Sequence, residues 1–342
     1  MFTKKRIATF FFAIVFAVIG TGVYTADRKA ATAELTKEVI TEEKTIDVYI
    51  MAGQSNMVGT SRLELLDDQY KVNYPLVKLY NGGDGPSEER NKWVTVRPGQ
   101  GTASQPYVMF GPELGMASVL SEPDKEIAFI KYAYGGTAIY QHPSVNNTAT
   151  NHDNWHGPWD GVKAVETLSQ VTTETSGRLY VECMLTIKNG LAALKADGYI
   201  PVIKGLAWMQ GETDGEIQFN RGEHNAASVY EHNLTQLFAH FRSEIGAIAQ
   251  QDLSKMPIVF GEIYEYSTCV VRVRDIVEAQ ANVGMQPNNY LINTGDLIID
   301  SRVDDWHWNG NEEYTLGVRF GEKLYEVNHG PFNNAYSDGY EE

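Results

Sequence analysis

The stretch from Ile46 to Met57 reads IDVYIMAGQSNM and decides the class of fold. Its first seven residues form a β-rich, mainly apolar run, which predicts a buried strand. Gly53 ends this run, and Ser55 follows in the turn after it. A strand that is buried on both faces is typical of a parallel sheet between two layers of helices.

Four later segments repeat the pattern of an apolar run that ends in polar residues or glycines. They are Glu126–Tyr134, Val202–Met209, Pro257–Ile263 and Tyr290–Gly295. Helical patterns lie at Leu179–Ala196, Ser228–Ile248 and Asn311–Val327. Strands that alternate with helices predict βαβ units and a mainly parallel sheet covered on both faces. We expect the ligand site at the carboxyl ends of the strands, as in other open α/β sheets.

Residues 1–26 have the composition of an export signal. A basic cluster at residues 4–6 precedes an apolar stretch from residue 7 to about residue 24, which predicts a secretory signal peptide. An uncleaved membrane anchor is the alternative, because the stretch approaches spanning length. In either case we expect a secreted or extracytoplasmic domain, which meets a membrane only if the segment is uncleaved.

The rest of the chain predicts a polar linker at 27–45, one domain at 46–330 and an acidic C-terminal tail at 331–342. Two stretches rich in Gly, Pro, Asn and aromatic residues, 82–105 and 141–159, predict long loops. Loops of that length are usually functional or mobile. We therefore expect substrate contacts from them.

Charge and cysteine content limit the possible partners. The formal net charge of −16 argues against nucleic acid, because phosphate contacts require clustered Lys and Arg. The charge is compatible with a neutral substrate. Cys183 and Cys269 could form one disulfide in an oxidising compartment or remain as two buried thiols.

Ser55 stands where a nucleophile is commonly presented. A serine hydroxyl attacks well only when a base removes its proton and donors stabilise the resulting oxyanion. A serine at a strand-to-helix turn is exposed at the sheet edge, and its own N–H group can act as one such donor. Considered alone, however, Gly-x-Ser fits a helix-capping serine better than a nucleophile.

Candidate partners for Ser55 lie in three other segments. Asp304 precedes His307 by three residues, so its carboxylate can orient the imidazole of a base. The pair Gly135-Gly136 supplies N–H groups at the end of a strand, and the amide of Gln210 stands at the end of another. Each segment considered alone also fits ordinary turn or surface chemistry.

Taken together and in order, the four segments resemble those of the SGNH hydrolases. The resemblance is to the carbohydrate esterases that include sialate O-acetylesterases and acetylxylan esterases, and it spans about residues 46–327. The segments that carry it are Gly53-Gln54-Ser55-Asn56-Met57, Gly135-Gly136-Thr137, Trp208-Met209-Gln210-Gly211-Glu212 and Asp304-Asp305-Trp306-His307.

The resemblance implies a three-layer α/β/α, flavodoxin-like fold and deacetylation of an O-acetylated oligo- or polysaccharide through an acyl-enzyme, with no cofactor. It implies Ser55 as nucleophile, His307 as base and Asp304 as the residue that orients His307. The implied oxyanion donors are the Ser55 N–H, Gly135 or Gly136, and Gln210, with supporting contacts from Gln54, Asn56 and Glu212. The family usually has Gly after the triad Asp, where this chain has Asp305.

Two other classes of function remain open from the sequence. A metal site could use His152 and His156, four residues apart, with Asp153 and His142 nearby, although the following Gly-Pro favours a loop there. A non-catalytic carbohydrate-binding protein on an SGNH scaffold is the second alternative, because fold alone does not establish activity. A lipase or peptidase fits less well, because Met57 stands where a Gly-x-Ser-x-Gly elbow has glycine.

Overall fold

The structure is a computed structural model that describes residues 44–141, 153–222, 224–268, 270–299 and 306–331. The expected signal peptide and nearly all of the linker lie outside the described residues. The same is true of Cys269, of Asp304 and Asp305, and of the tail beyond residue 331.

Nine strands are present in the described part of the chain. They are β1 (Lys44–Gly53), β2 (Ser61–Arg62), β3 (Tyr74–Asn81), β4 (Trp93–Val96), β5 (Met109–Phe110), β6 (Ile127–Ala133), β7 (Tyr199–Met209), β8 (Ile258–Gly261) and β9 (Asn289–Ile292). Seven form a sheet in the order β4-β3-β6-β1-β7-β8-β9, which is parallel except for the antiparallel β3–β4 pair. β2 and β5 pair separately. The mainly parallel sheet expected from the sequence is confirmed.

The described part of the chain contains seven α-helices, which pack in two groups. They are α1 (Ser55–Val58), α2 (Glu113–Leu120), α3 (Arg178–Ala196), α4 (Glu212–Gly215), α5 (Ala226–Ala249), α6 (Val273–Gly284) and α7 (Asn311–His329). α2 packs on α7, and α5 packs on both α3 and α6. These groups flank the sheet and give the expected α/β architecture. Short 3-10 turns occupy Leu63–Leu65, Asp68–Tyr70, Leu168–Gln170 and Ile217–Asn220.

β1 lies at the centre of the sheet, as its apolar composition predicts. It pairs with β6 on one side and β7 on the other, and Gly53 at its end aligns with both Ala133 and Met209. The three strands therefore end at one level. This register brings the loops after β1, β6 and β7 to the same edge of the sheet.

The sequence prediction missed several elements. The stretch 82–105, expected to be a loop, contains β4, and β3, α2 and α6 were not foreseen. α6 buries Ile276, Ala279, Gln280 and Val283, which recur at helical spacing and form an apolar face that the sequence prediction overlooked. In the ranges that the structure describes, no helix is long and apolar enough to cross a bilayer.

Candidate active site

Ser55 and His307 meet at the carboxyl end of β1 although 252 residues separate them. His307 Nε2 lies 2.8 Å from Ser55 Oγ. Ser55 begins α1 and is 7% exposed, while His307 lies in the segment before α7. When Nε2 is unprotonated, the Ser55 hydroxyl donates to it. This is the geometry that a base needs in order to take the hydroxyl proton.

The turn that presents Ser55 depends on Gly53. Its φ is +143°, and a Cβ there would lie 2.0 Å from the backbone oxygen of Met209. The next N–H, that of Gln54, donates to the same oxygen at 2.8 Å. Only glycine allows β1 to approach β7 this closely and then turn at once into α1. The position of Ser55 therefore depends on a glycine at position 53.

The loop after β6 lies beside the nucleophile. A Cβ built on Gly135 would lie 3.7 Å from Ser55 Cβ, so the loop is in near contact with Ser55. Within the described residues, the N–H groups of Ser55, Gly135 and Gly136 have no hydrogen-bond acceptor in the protein. These three groups are available to a substrate oxygen.

The structure does not give Gln210 the expected role of oxyanion donor. Gln210 is 0% exposed, and its Nε2 lies 2.9 Å from Thr137 O and 2.6 Å from Asp214 Oδ2. An amide nitrogen carries two hydrogens, so both are already donated. Tyr230 Oη lies 3.2 Å from the other amide atom, Oε1. Gln210 holds the end of β7 against the loop after β6 instead of facing the substrate.

Asp214 completes this internal connection, and the sequence analysis did not identify it. Its carboxylate accepts hydrogen bonds from the backbone N–H groups of Ile139 (2.9 Å) and Tyr140 (3.0 Å). Burial raises the pKa of Asp214 to about 6, against the lowering effect of the Ile139 and Gln210 hydrogen bonds. Its position two residues after Glu212 was the available signal. Asp214 and Gln210 together fix the loop that carries Gly135 and Gly136.

Asn56 joins the nucleophile to the segment of the base. Its Nδ2 donates to Glu212 Oε1 at 2.8 Å and to the backbone oxygen of Trp306 at 2.9 Å. Asn56 follows Ser55 and Trp306 precedes His307, so one amide group connects both sides of the site. Asn56 and Glu212, both expected in supporting positions, are thus hydrogen-bonded to each other.

Glu212 is a buried carboxyl beside His307. Burial raises the pKa of Glu212 to about 7, while the electrostatic interaction with His307 and the Asn56 hydrogen bond act in the opposite direction. In the described part of the chain, its Oε2 has no hydrogen-bond partner. Glu212 thus changes charge near neutral pH and can alter the field at His307.

A cavity of about 620 Å³ opens over Ser55. It is lined by Gln54, Ser55, Gly135, Gly136, Glu212, Thr213, Glu216, Gln218, Val270, Trp306 and His307. Among the described residues, this lining includes two carboxyl groups and no Lys or Arg. The expected supporting residue Gln54 therefore faces the cavity, and Val270 and Trp306 supply apolar surface for a ligand.

Other predicted residues do not join this site or cannot be placed. Asp304 and Asp305 lie outside the described residues, as do His142 and His152 of the alternative metal site. His156 is buried, and its ring packs 4.4 Å from the ring of Trp159. Among the residues whose placement is described, no group of three His, Cys, Asp or Glu side chains could hold a metal ion.

The family assignment comes from the match between this chain and a known sequence family. The sequence model of the family described as "Carbohydrate esterase, sialic acid-specific acetylesterase" matches residues 45–326. The chain belongs to this family of carbohydrate esterases. The matched range includes the whole described site of the esterase and all of its sheet strands except Lys44, the first residue of β1. No curated protein sequence matches it significantly.

Solved structures support the fold of the esterase. It resembles a protein from Arabidopsis thaliana (18% identity, TM-score 0.55), with 83% of this chain and 99% of that chain covered. NanS is similar (14% identity, TM-score 0.54, coverage 83% and 98%). XAC1771, a carbohydrate acetylesterase from Xanthomonas citri, has 15% identity and a TM-score of 0.53, with coverage of 83% and 56%. At these identities the likeness concerns the fold alone.

Proposed function

We propose that this member of the family is a serine esterase that removes acetyl, or other short acyl, groups from O-acetylated carbohydrate. The observation that carries the proposal is the 2.8 Å contact between Ser55 Oγ and His307 Nε2 on the wall of the cavity. Family membership supplies the class of bond, a carboxylic ester.

The reaction would begin with attack by Ser55 Oγ on the ester carbonyl while His307 Nε2 takes the hydroxyl proton. The new C–O bond moves the carbonyl π electrons onto oxygen. The N–H groups of Ser55 and of Gly135 or Gly136 have no acceptor in the described protein, so they can stabilise this oxyanion.

Protonated His307 would then donate its proton to the sugar oxygen as the ester C–O bond breaks. Water, deprotonated by His307, attacks the acyl-enzyme, and Ser55 is regenerated as acetate leaves. Asp304, which lies outside the described residues, is proposed as the carboxylate that orients His307.

The charge of the cavity wall suggests which sugars fit. Glu212 and Glu216 line the cavity, and among the described residues no lysine or arginine does. Two described arginines are already paired: Arg272 bonds to Asp275, and Arg178 to Glu182. A sugar that carries a carboxylate would meet like charge, and the described residues of the cavity wall offer it no compensating cation. We therefore propose an uncharged acetylated sugar as the preferred substrate class.

A second candidate is a carbohydrate-binding protein without activity on the same scaffold. It would explain a sugar-sized cavity and the aromatic Trp306, but it gives no reason for the close Ser55–His307 contact.

Export through the N-terminal segment, cleaved or retained as an anchor, is also part of the proposal, and it fits a protein that meets polysaccharide outside the cell.

The test is hydrolysis of 4-nitrophenyl acetate and acetylated xylan by the exported domain, compared with Ser55→Ala. A matched control is Ser176→Ala, which removes a buried hydroxyl that is not among the cavity-lining residues. We expect the wild type and the control to release acetate and Ser55→Ala to release almost none. Sugar binding by a folded wild type that never releases acetate would favour the binding protein instead.

A further inference from the structure

A lysine stands in the middle of the sheet, where a charge is costly. Lys131 on β6 is 1% exposed, and β6 lies between β1 and β3. Burying an ammonium group requires a paired charge and hydrogen bonds that replace water. Glu113, the first residue of α2 and 0% exposed, supplies the charge: its Oε2 lies 2.6 Å from Lys131 Nζ.

The second contact of Lys131 connects this pair to the nucleophile. Lys131 Nζ donates to the backbone oxygen of Val58 at 2.9 Å. Val58 is the last residue of α1, and Ser55 is the first. A four-residue helix is too short to be stable alone, and its last carbonyl groups lack helical partners. A buried cation at that end satisfies one carbonyl and also interacts favourably with the helix dipole.

Glu113 also supports the C-terminal end of α1, through the backbone of Gly111. Its Oε1 accepts the backbone N–H of Gly111 at 3.0 Å. Gly111 in turn lies against Gly59, the residue after Val58, so closely that a Cβ on Gly59 would lie 2.4 Å from Gly111 N. The pair therefore fixes both the last carbonyl of α1 and the backbone on which the chain rests as it leaves α1.

A second buried carboxyl, that of Glu313, interacts with this pair but does not bind the lysine. Glu313 on α7 is buried, and in the described residues neither of its oxygens has a hydrogen-bond partner. Burial and the neighbouring charge of Glu113 raise the pKa of Glu313 well above its usual range, although Lys131 acts in the opposite direction. The geometry leaves Lys131 paired with Glu113, because Lys131 Nζ lies 2.6 Å from Glu113 Oε2 and, among the described residues, Glu313 accepts no hydrogen bond.

We propose that Lys131 is a positioning residue for the nucleophile: its ammonium group, held by Glu113, fixes the Val58 end of α1 and thereby the place of Ser55. The inference rests on the proposed function, because it assigns Lys131 a part in the attack by Ser55. A displacement of about 1 Å at a reacting atom can cost on the order of 10²-fold in rate. A small movement of α1 would thus reduce turnover without unfolding the protein.

The test measures how fast a fluorophosphonate labels Ser55, together with kcat and KM for 4-nitrophenyl acetate. The first variant is Lys131→Met combined with Glu113→Gln, which removes both charges and keeps the volume of the side chains. The second is Lys131→Arg, which keeps the charge pair but changes the donor geometry at Val58. Arg242→Met is the matched control, because Arg242 is a part-buried cation that donates to Met256 O and Asn288 O, away from the cavity.

We expect the double variant Lys131→Met/Glu113→Gln to be folded, as checked by circular dichroism. Its labelling rate and its kcat should each fall at least tenfold, with little change in KM. Lys131→Arg should lose severalfold, and Arg242→Met should keep both rates even if its melting temperature falls. Wild-type labelling rates in either folded Lys131 variant would overturn the positioning role. A wild type that is never labelled at Ser55 would instead contradict the proposed function itself.

Discussion

The side-chain nitrogen of Asn56 lies 2.9 Å from the backbone oxygen of Trp306, across 250 residues of sequence. The two residues adjoin Ser55 and His307, so this hydrogen bond joins the strand–helix turn of the nucleophile to the segment of the base. Because the same Nδ2 also donates to Glu212, the bond is held in a fixed direction. The proposed catalytic pair therefore depends on a neighbour that need not touch the substrate.

Replacing Asn56 with Ala should separate the two halves of the site. We expect kcat for 4-nitrophenyl acetate to fall by roughly 10–100-fold with a small change in KM, because the base is no longer aligned with Ser55. Asn289→Ala is the control, since Asn289 is also buried but begins β9, whereas the site lies at the carboxyl ends of the strands. Equal kcat values in the two variants would contradict the alignment role.

Gln210→Ala distinguishes an internal connection from an oxyanion donor. Losing the bonds to Thr137 and Asp214 leaves buried acceptors unpaired, so the free energy of unfolding should fall by about 2–3 kcal/mol. We expect kcat to fall by less than about tenfold, as measured beside urea denaturation. A loss of about 10²–10³ in kcat with unchanged stability would restore Gln210 as an oxyanion donor.

Glu212 should make stability depend on pH in a defined direction. Its folded pKa of about 7 lies above its ordinary value near 4.5, so the folded state binds the proton more tightly than the unfolded state. The contribution to the free energy of unfolding is present below pH 4.5 and is lost as pH rises through 7, by roughly 3 kcal/mol in all.

Glu212→Gln removes this titration and keeps an acceptor for Asn56. The difference between wild type and variant in denaturant melts should therefore grow between pH 5 and pH 8, in favour of the variant. Glu64→Gln, at an exposed glutamate, should give no such difference. Parallel pH curves for wild type and Glu212→Gln would disprove a raised pKa at this carboxyl.

The two aspartates before the base provide a matched pair of variants. If Asp304 orients His307, Asp304→Asn should lower kcat on the order of 10²–10⁴-fold, because an amide favours the wrong imidazole tautomer. Asp305→Asn should keep most of the activity. The reverse order would transfer the role to Asp305, and mild effects in both variants would remove it from either residue.

Glu216→Gln tests the proposed preference for uncharged sugars. At pH 8 we expect the wild type to deacetylate an acetylated methyl xyloside with a kcat/KM at least tenfold above that for an acetylated methyl glucuronide. The variant should narrow this ratio severalfold, because one charge on the cavity wall is removed. Equal kcat/KM values of the wild type for the two sugars would reject the electrostatic argument.

The sequence predicted the strands and helices whose hydrophobic pattern is clear over a short stretch of chain. β1, β6 and β7 are long apolar runs, and α3, α5 and α7 have a clear helical period, so each was located to within a few residues. β3 contains Pro75, which weakens its strand pattern, whereas α6 has a regular helical pattern that the sequence prediction overlooked. Both are stabilised by the neighbours that they pack against.

For the site, the sequence determined which residue types are available and in what order: a serine after the central strand, glycines after β6 and a histidine before the last helix. Only the tertiary structure decided which of them meet. The common register of β1, β6 and β7 brings Ser55 beside Gly135, and the same register turns Gln210 inward to Thr137 and Asp214. Hydrogen-bond direction and burial depend on atoms distant in sequence, and for that reason Lys131, Asp214 and the inward-facing amide of Gln210 became visible only in the folded chain.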